Sequence, residues 1–206
     1  MRIDSHSDAL IIVDLQPDFM PGGALAVAEG DRVAAPIAQL ARRFSTVIAT
    51  QDWHPAGHVS FVERGGPWPI HCRAGSSGAA LHEALPDELV TSILRKGTRL
   101  DVDSYSAFAE NDGSNSGLGA FLRARGIRRV FVCGLARDFC VRATAVDGAA
   151  EKLEVYVLDD LTRAVDPNSR AQVDAEFASR GVRVIDSAAP VLPARQCTGH
   201  GPPRSA

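Results

Sequence analysis

The stretch RVFVCGLARDFCVRATA, from Arg129 to Ala145, predicts a buried strand, a tight turn and the start of a helix. The apolar run from Arg129 to Cys133 is typical of a buried strand, and Gly134 permits the turn. Helical spacing from Asp138 to Lys152 then places Cys140 in the first helical turn. A strand, a turn and a helix in this order are typical of a parallel sheet that exposes a reactive side chain above its carboxyl edge.

The position of Cys140 predicts a nucleophile. The start of a helix carries unpaired N–H groups and about half a positive charge, which together stabilise a thiolate over a thiol. The same N–H groups can hold an oxyanion. A free cysteine can equally be a small buried hydrophobe. This stretch alone leaves both interpretations open.

Strands and helices alternate along most of the chain. The predicted strands are Ala9–Val13, Thr46–Thr50, Ser92–Lys96, Arg129–Cys133, Glu154–Leu158 and Val182–Ile185. The predicted helices are Asp31–Phe44, Leu81–Leu85, Ser116–Arg125, Asp138–Lys152 and Asn168–Ser179. This alternation predicts a single α/β domain over residues 1–187, with a mostly parallel central sheet and helices on both faces. Residues 188–206 are rich in proline, glycine, serine and arginine, which predicts a loosely ordered tail.

Composition argues against nucleic-acid and membrane partners. A net charge of −3 over 206 residues gives no electrostatic case for nucleic acid. No segment reaches the roughly 18 apolar residues that a membrane span needs. The four cysteines form no paired motif, and the first residues show no signal-peptide pattern. We therefore expect reduced cysteines and a cytoplasmic protein.

Residues able to do chemistry follow four of the predicted strands. Asp14 follows the first strand, Asp52 lies just beyond the second, Lys96 ends the third, and the fourth leads to Cys140. The carboxyl ends of parallel strands meet at one edge of a sheet, where ligands bind in such folds. Asp14, Lys96 and Cys140 would there offer a base, a cation and a nucleophile. Asp14 and Lys96 could instead be ordinary strand-end charges.

Lys96 has a further point in its favour. The chain contains twenty arginines and two lysines, the other being Lys152 on a helix predicted to be exposed. Where arginine is the usual cation, a lysine suggests the need for a compact charge whose proton affinity can shift.

The loop after the second strand gathers candidate metal ligands. Asp52, His54 and His58 lie within seven residues, and His71 follows thirteen residues later. A carboxylate and several imidazoles suit a divalent transition metal that keeps coordination positions open. Taken singly, these histidines could be structural or surface residues, and an irregular loop does not fix their geometry.

Three aromatic residues lie on loops beyond strand ends. They are Phe19, Trp68 and Tyr105. Aromatic residues are often part of a core, but on three such loops they could also wall a flat ring.

Several segments together carry a family resemblance. They are ALIIVDLQPDF with PGGAL, ATQDWHPAGHVSF, WPIHC with GSSGA, RKG followed by DSYSAF, and VFVCGLARDFCVRATA. In this order the segments resemble the nicotinamidases, also known as pyrazinamidases, which are members of the isochorismatase-like cysteine hydrolases. The chain departs from the family pattern at Pro17, at Arg73 and at Ser76–Ser77. These departures bear on substrate fit and loop shape.

The resemblance implies a three-layer α/β/α fold and the hydrolysis of nicotinamide to nicotinate and ammonia, with pyrazinamide as a related substrate. It implies a catalytic triad of Asp14, Lys96 and Cys140 acting through a thioester. An oxyanion hole is implied at the backbone N–H groups of Ala136 and Cys140, beside a cis peptide at Leu135–Ala136. The implied metal ligands are Asp52, His54, His58 and His71. Family members hold zinc, manganese or iron, and zinc is the first expectation.

Two other functions fit parts of the sequence. A related hydrolase could act on another small amide or on a vinyl ether such as isochorismate, but relatives with those activities generally lack these metal ligands. A metal-binding or regulatory domain could retain the scaffold without catalysis, which the intact triad disfavours. The expected partner is a small carboxamide, and a homo-oligomer is left open because oligomers are common in the family.

Overall fold

The computed structural model describes residues 3–189 and centres on a six-stranded sheet. The strands are β1 (Asp8–Val13), β2 (Val47–Asp52), β3 (Ser92–Lys96), β4 (Arg129–Leu135), β5 (Glu154–Arg163) and β6 (Arg183–Ile185). Their order across the sheet is β3-β2-β1-β4-β5-β6, and every neighbouring pair is parallel. The predicted parallel sheet is therefore confirmed.

Helices cover both faces of this sheet. They are α1 (Asp31–Ala41), α2 (Leu118–Ala124), α3 (Arg142–Ala150) and α4 (Arg170–Ser179). One face packs against α1 through residues such as Val33 and Ile37. The other face packs against α2, α3 and α4 through residues such as Leu122, Ala145 and Phe177. The three-layer α/β/α arrangement is confirmed as well.

The strand order reverses between β1 and β4. From β1 the sheet grows through β2 and β3 to one side, whereas β4 starts growth to the other side. Ligands in open α/β sheets bind in the crevice beyond the carboxyl ends of the strands at such a reversal. Asp14 follows β1 and Ala136 follows β4. Both predicted site segments therefore begin at this crevice.

One predicted helix is wrong. Residues Leu81–Leu85 form turns rather than a helix. Five residues make too few backbone hydrogen bonds to offset the cost of helix nucleation, and the following Pro86 cannot continue a helix.

The helix predicted to start at Asp138 begins differently. Residues Arg137–Val141 form a π-helical turn, and the regular helix α3 starts at Arg142. Cys140 therefore lies in a widened turn between β4 and α3. Such turns are frequent at functional sites.

The described chain ends shortly after the last strand. Strand β6 ends at Ile185, close to the predicted domain boundary, and residues 190–206 of the predicted tail lie outside the described residues. Within residues 3–189, no helix combines the length and the apolar character that crossing a membrane requires.

The close approach of β1 and β4 depends on Gly134. Its φ is +109°, and an added Cβ would lie 2.0 Å from the carbonyl oxygen of Val13. Val13 and Gly134 are register partners at the carboxyl end of the two strands. Glycine is needed here both for its backbone conformation and because the neighbouring strand leaves no room for a side chain.

Replacing Gly134 with alanine should destabilise the fold, because the new Cβ would force β1 and β4 apart. We expect Gly134→Ala to lower the free energy of unfolding by about 3 kcal/mol or more. The matched control is Gly113→Ala, since Gly113 also has a positive φ of +85° but has no atom within 4 Å of an added Cβ. The control should lose only about 1 kcal/mol. Equal losses in urea unfolding would contradict the role given to the β1–β4 contact.

Candidate active site

Asp14, Lys96 and Cys140 meet at the carboxyl edge of the sheet. The Lys96 Nζ lies 2.9 Å from Asp14 Oδ2 and 3.3 Å from Cys140 Sγ. All three residues are buried, with exposed fractions of 0%, 3% and 6% for Asp14, Lys96 and Cys140. The structure thus brings the predicted triad together in a site with little water.

The Lys96 ammonium also contacts the neighbouring site. It donates hydrogen bonds to Asp52 Oδ1 and, at 3.4 Å, to the carbonyl oxygen of Ser104. Burial lowers the pKa of Lys96, but the carboxylates of Asp14 and Asp52 raise it more, so its pKa lies well above the ordinary lysine value. Lys96 is therefore a permanent cation between two acidic residues and the thiol.

Asp14 is oriented by Thr50. The Thr50 hydroxyl donates to Asp14 Oδ1 at 2.6 Å and accepts from the Asp14 backbone N–H at 3.0 Å. Within the described residues, Asp14 Oδ2 has no hydrogen bond of good geometry despite its closeness to Lys96. Burial raises the pKa of Asp14 above its ordinary value, although the Lys96 ammonium opposes the shift. Asp14 thus combines an open oxygen with increased basicity.

Burial favours the thiol form of Cys140. Burial raises the pKa of Cys140 well above its ordinary value, while the Lys96 ammonium lowers it and the Asp14 carboxylate raises it. Burial thus acts against the thiolate that the helix start is expected to stabilise, and the thiolate stays a prediction. The Cys140 Sγ and a carboxylate oxygen of Asp14 lie within 4.8 Å of each other. The thiol consequently has a base at hand to take its proton.

The oxyanion hole is predicted to lie in the backbone before Cys140. The peptide between Leu135 and Ala136 is cis, as the resemblance implied. The amides of Phe139 and Val141 both donate to the carbonyl oxygen of Ala136. No bond from the Cys140 amide to that carbonyl is found in the described part of the chain. The Ala136 and Cys140 amides as oxyanion donors remain a prediction.

Three of the four predicted metal ligands converge. Within residues 3–189, one ligand atom each from Asp52, His54 and His71 lies within 4.8 Å of the others, and all three residues are buried. Asp52 Oδ2 is 3.5 Å from His54 Nε2 and 3.7 Å from His71 Nε2. Ligand atoms about 2.1 Å from a tetrahedral zinc ion lie about 3.4 Å apart, so these separations fit an ion between them.

Hydrogen bonds at the far sides of the imidazoles favour metal binding. His54 Nδ1 lies 3.0 Å from the carbonyl oxygen of Gly97, and His71 Nδ1 lies 2.8 Å from that of Pro69. A carbonyl oxygen only accepts, so each Nδ1 carries the proton and each Nε2 has its lone pair directed elsewhere. This is the usual way in which a metal-binding histidine is held in the correct tautomer.

The charges of the cluster also favour a cation. Burial alone would raise the pKa of Asp52, but the Lys96 ammonium and the facing imidazoles of His54 and His71 hold it well below the ordinary value. Burial lowers the pKa of His54, yet Asp52 raises it more, so the net shift is upward. Positive charge is thus stabilised beside Asp52.

His58 lies outside this cluster. Its Nδ1 is 2.8 Å from the Ser60 hydroxyl, and its Nε2 is 3.1 Å from the carbonyl oxygen of Val102. The ring stacks on His54 with centroids 4.2 Å apart. In this conformation His58 supports the ring of His54, and its role as a ligand remains a prediction.

The three predicted aromatic residues are found in two places. Phe19 packs edge-on against His71, with ring centroids 5.8 Å apart. The indole N–H of Trp68 donates to the Tyr105 hydroxyl at 3.0 Å, and both rings contact Phe139. Phe139 directly precedes Cys140, so the Trp68 and Tyr105 rings contact the residue next to the nucleophile in the chain.

Sequence reasoning missed four residues of this site. They are Gln16, Thr50, Ser104 and Phe139. All four stand inside the quoted motifs, so position gave a signal for each. Ser104 contributes only a backbone carbonyl, whose role sequence patterns do not mark.

Comparisons with known proteins agree with this site. Residues 8–189 match the isochorismatase domain family. The nicotinamidase of Acinetobacter baylyi is 42% identical over 201 residues, covering 89% of this chain and 94% of the relative.

Two solved structures are also similar. The crystal structure of PnC1 from L. infantum in complex with nicotinate has a TM-score of 0.89 and 45% identity, covering 91% of this chain and 96% of that one. The pyrazinamidase of Pyrococcus horikoshii in complex with zinc has a TM-score of 0.80 and 42% identity, with 87% and 99% coverage. With the family matched over nearly the whole described chain and the triad assembled, this protein belongs to the isochorismatase family of hydrolases.

Proposed function

We propose that this protein is a nicotinamidase that hydrolyses nicotinamide to nicotinate and ammonia through a thioester on Cys140. The observation that carries the proposal is the burial of Asp14, Lys96 and Cys140 together, next to a cluster of metal-ligand type. The similar proteins named nicotinamidase or solved with nicotinate support the choice of substrate.

The donor set of Asp52, His54 and His71 fits a divalent transition metal. Two imidazole nitrogens and one carboxylate oxygen leave coordination positions open, which is typical of catalytic rather than structural sites. When bound, the ion would supply a Lewis acid able to hold the ring nitrogen of the substrate. We propose zinc, in keeping with the zinc complex of the Pyrococcus horikoshii pyrazinamidase.

The first half of the reaction forms the thioester. Asp14 takes the proton of the Cys140 thiol, and the thiolate attacks the carboxamide carbon. The Lys96 ammonium stabilises the thiolate while the charge is on sulfur. The backbone N–H groups of Ala136 and Cys140 would hold the oxyanion of the tetrahedral intermediate. Asp14 then returns the proton to the leaving nitrogen, and ammonia departs.

The second half releases the acid. Asp14 takes a proton from water, and the resulting hydroxide attacks the thioester carbon. The carbon–sulfur bond breaks, and the Cys140 thiolate regains a proton from Asp14 when the product leaves. Each full cycle therefore returns Asp14 and Cys140 to their starting protonation states.

The aromatic rings suggest how the substrate is oriented. Trp68 and Tyr105 flank Phe139 beside the nucleophile, and Phe19 lies against a metal ligand. A flat heteroaromatic carboxamide would fit between such surfaces. Pyrazinamide differs from nicotinamide by one ring nitrogen, so we propose it as a second substrate. A cytoplasmic setting fits the reduced cysteines, and homo-oligomer formation stays a proposal.

Removing the nucleophile should abolish turnover without affecting the fold. We expect Cys140→Ala to release no ammonia from nicotinamide above background, because Cys140 is the thiol that lies beside Asp14 and Lys96. Cys133→Ala is the matched control, since Cys133 is also buried but belongs to the opposite packing layer. Ammonia release is measured by a coupled assay. Activity of Cys140→Ala at the level of the control would refute the thioester mechanism.

Removing the Lys96 charge should make the thiol harder to ionise. An opposite charge at this distance lowers a pKa by about one to three units. Lys96→Met should therefore slow alkylation of Cys140 by iodoacetamide about tenfold or more at a fixed pH. Lys152→Met changes the only other lysine of the chain and should leave the rate unchanged. Peptide mapping by mass spectrometry gives the rate at Cys140, and an equal rate in both variants would exclude this role.

Removing two imidazoles should remove the metal. His54→Ala combined with His71→Ala leaves one carboxylate from the cluster, which is too few ligands for tight binding. We expect the purified double variant to contain no stoichiometric metal by elemental analysis and to lose nicotinamide hydrolysis. His82→Ala is the control, because His82 lies outside the cluster. Full activity in a metal-free double variant would show that the reaction needs no metal.

A further inference from the structure

Gln16 lies in the first loop but contacts the strand that carries a proposed metal ligand. Its side chain is fully buried, with an exposed fraction of 0%. Its Oε1 accepts from the Asp52 backbone N–H at 2.8 Å, and its Nε2 donates to the Asp52 carbonyl oxygen at 3.0 Å. The second proton of Nε2 is donated to the Ala79 carbonyl oxygen at 2.8 Å. The carboxamide therefore holds both polar backbone groups of Asp52.

The Gln16 carboxamide takes the place of a backbone partner that β1 does not supply to the end of β2. Strands β1 and β2 pair in register only from Leu10 with Val47 to Ile12 with Ala49. Beyond that point the chain after β1 turns away, and Asp52 would lack a backbone partner on this side. The Gln16 carboxamide presents one acceptor and one donor, as a strand backbone does. The carboxamide therefore extends the hydrogen bonding along β2 as far as Asp52.

We propose that Gln16 is a positioning residue for the metal ligand Asp52, an inference that rests on the proposed metal site. Asp52 has two tasks that need one orientation: Oδ1 accepts from Lys96 while Oδ2 faces His54 and His71. A carboxylate that serves a cation on one side and an ion site on the other has little freedom to shift. Fixing its backbone on both sides of Cα limits that shift.

The loop that contains Gln16 also contacts the segment that carries His71. Asp18 Oδ2 accepts from the Cys72 backbone N–H at 2.6 Å, directly after His71. Between Gln16 and Asp18 stands Pro17, the first residue of a short 3-10 turn. Proline fixes φ at this position, which restricts the loop before any contact forms. The departure from the family pattern at Pro17 thus falls in the segment that connects the two contacts.

The expected size of the effect is taken from residues that hydrogen-bond to the ligands of metal sites in other proteins. Loss of such a contact typically weakens metal binding about 10- to 100-fold. Gln16 acts through the backbone of Asp52 and not on its carboxylate, so we expect the lower end, about tenfold.

The test compares two buried glutamines. Gln16→Met removes all three hydrogen bonds at nearly constant side-chain volume. The matched control is Gln51→Met, because Gln51 is also buried and its Nε2 donates to the same Ala79 carbonyl, at 2.9 Å, while its Oε1 accepts from Arg95 rather than from the backbone of Asp52, the next residue in the chain. Zinc affinity is measured on metal-free protein by competition with a chromogenic chelator, with the unfolding temperature of each protein recorded alongside.

We expect Gln16→Met to bind zinc about tenfold more weakly than the wild type, and Gln51→Met to bind as the wild type does. Equal zinc affinity in Gln16→Met and the wild type would overturn the inference, as would an equal loss in both variants. A wild type that binds no zinc would instead overturn the proposed metal site. The two failures are therefore distinguishable.

A second variant covers the case in which Gln16→Met does not fold. Gln16→Glu keeps an acceptor for the Asp52 N–H but replaces the Nε2 donor that serves two carbonyl oxygens. We expect weaker zinc binding than in the wild type, at an unfolding temperature that still exceeds the assay temperature. Wild-type affinity in folded Gln16→Glu would count against the inference in the same way.

Discussion

The Lys96 ammonium is the interaction on which the rest of the site depends. Asp14 and Asp52 are two buried carboxylates that would repel each other and raise each other's pKa without a cation between them. Lys96 lies within contact distance of both and of the Cys140 sulfur. Its own burial is tolerable only because these acidic groups surround it. One charge therefore stabilises two neighbouring sites that the sequence places far apart.

The same burial opposes ionisation of the nucleophile. Burial opposes a thiolate at Cys140 more strongly than Lys96 favours it, so the pKa of the thiol is raised. Burial also raises the pKa of Asp14, which makes it a better proton acceptor than an exposed aspartate. Burial therefore raises the pKa of both the proton donor and the proton acceptor, and the Lys96 ammonium compensates the charge that forms on sulfur.

Hydrogen bonds from neighbouring segments orient the residues of the site. Thr50 orients Asp14, Gly97 and Pro69 carbonyls orient His54 and His71, and Gln16 holds the backbone of Asp52. Most of these contacts join segments that are distant along the chain. A site assembled in this way keeps its geometry only if the close packing of β1 against β4 at Gly134 is kept.

The α/β class and the parallel sheet can be predicted from the sequence alone. The same patterns identify six candidate site residues, which are Asp14, Lys96, Cys140, Asp52, His54 and His71. Continuous apolar strands and chemistry at strand ends are local patterns, and parallel topology places those ends at one edge. The hydrogen bonds that His58 forms with Ser60 and Val102, outside the ligand cluster, are visible only in the folded chain. The turns at residues 81–85 and the burial of Cys140 likewise come from the tertiary structure. The physical reason is that burial and hydrogen-bond partners come from segments distant in the chain, which no local spacing records.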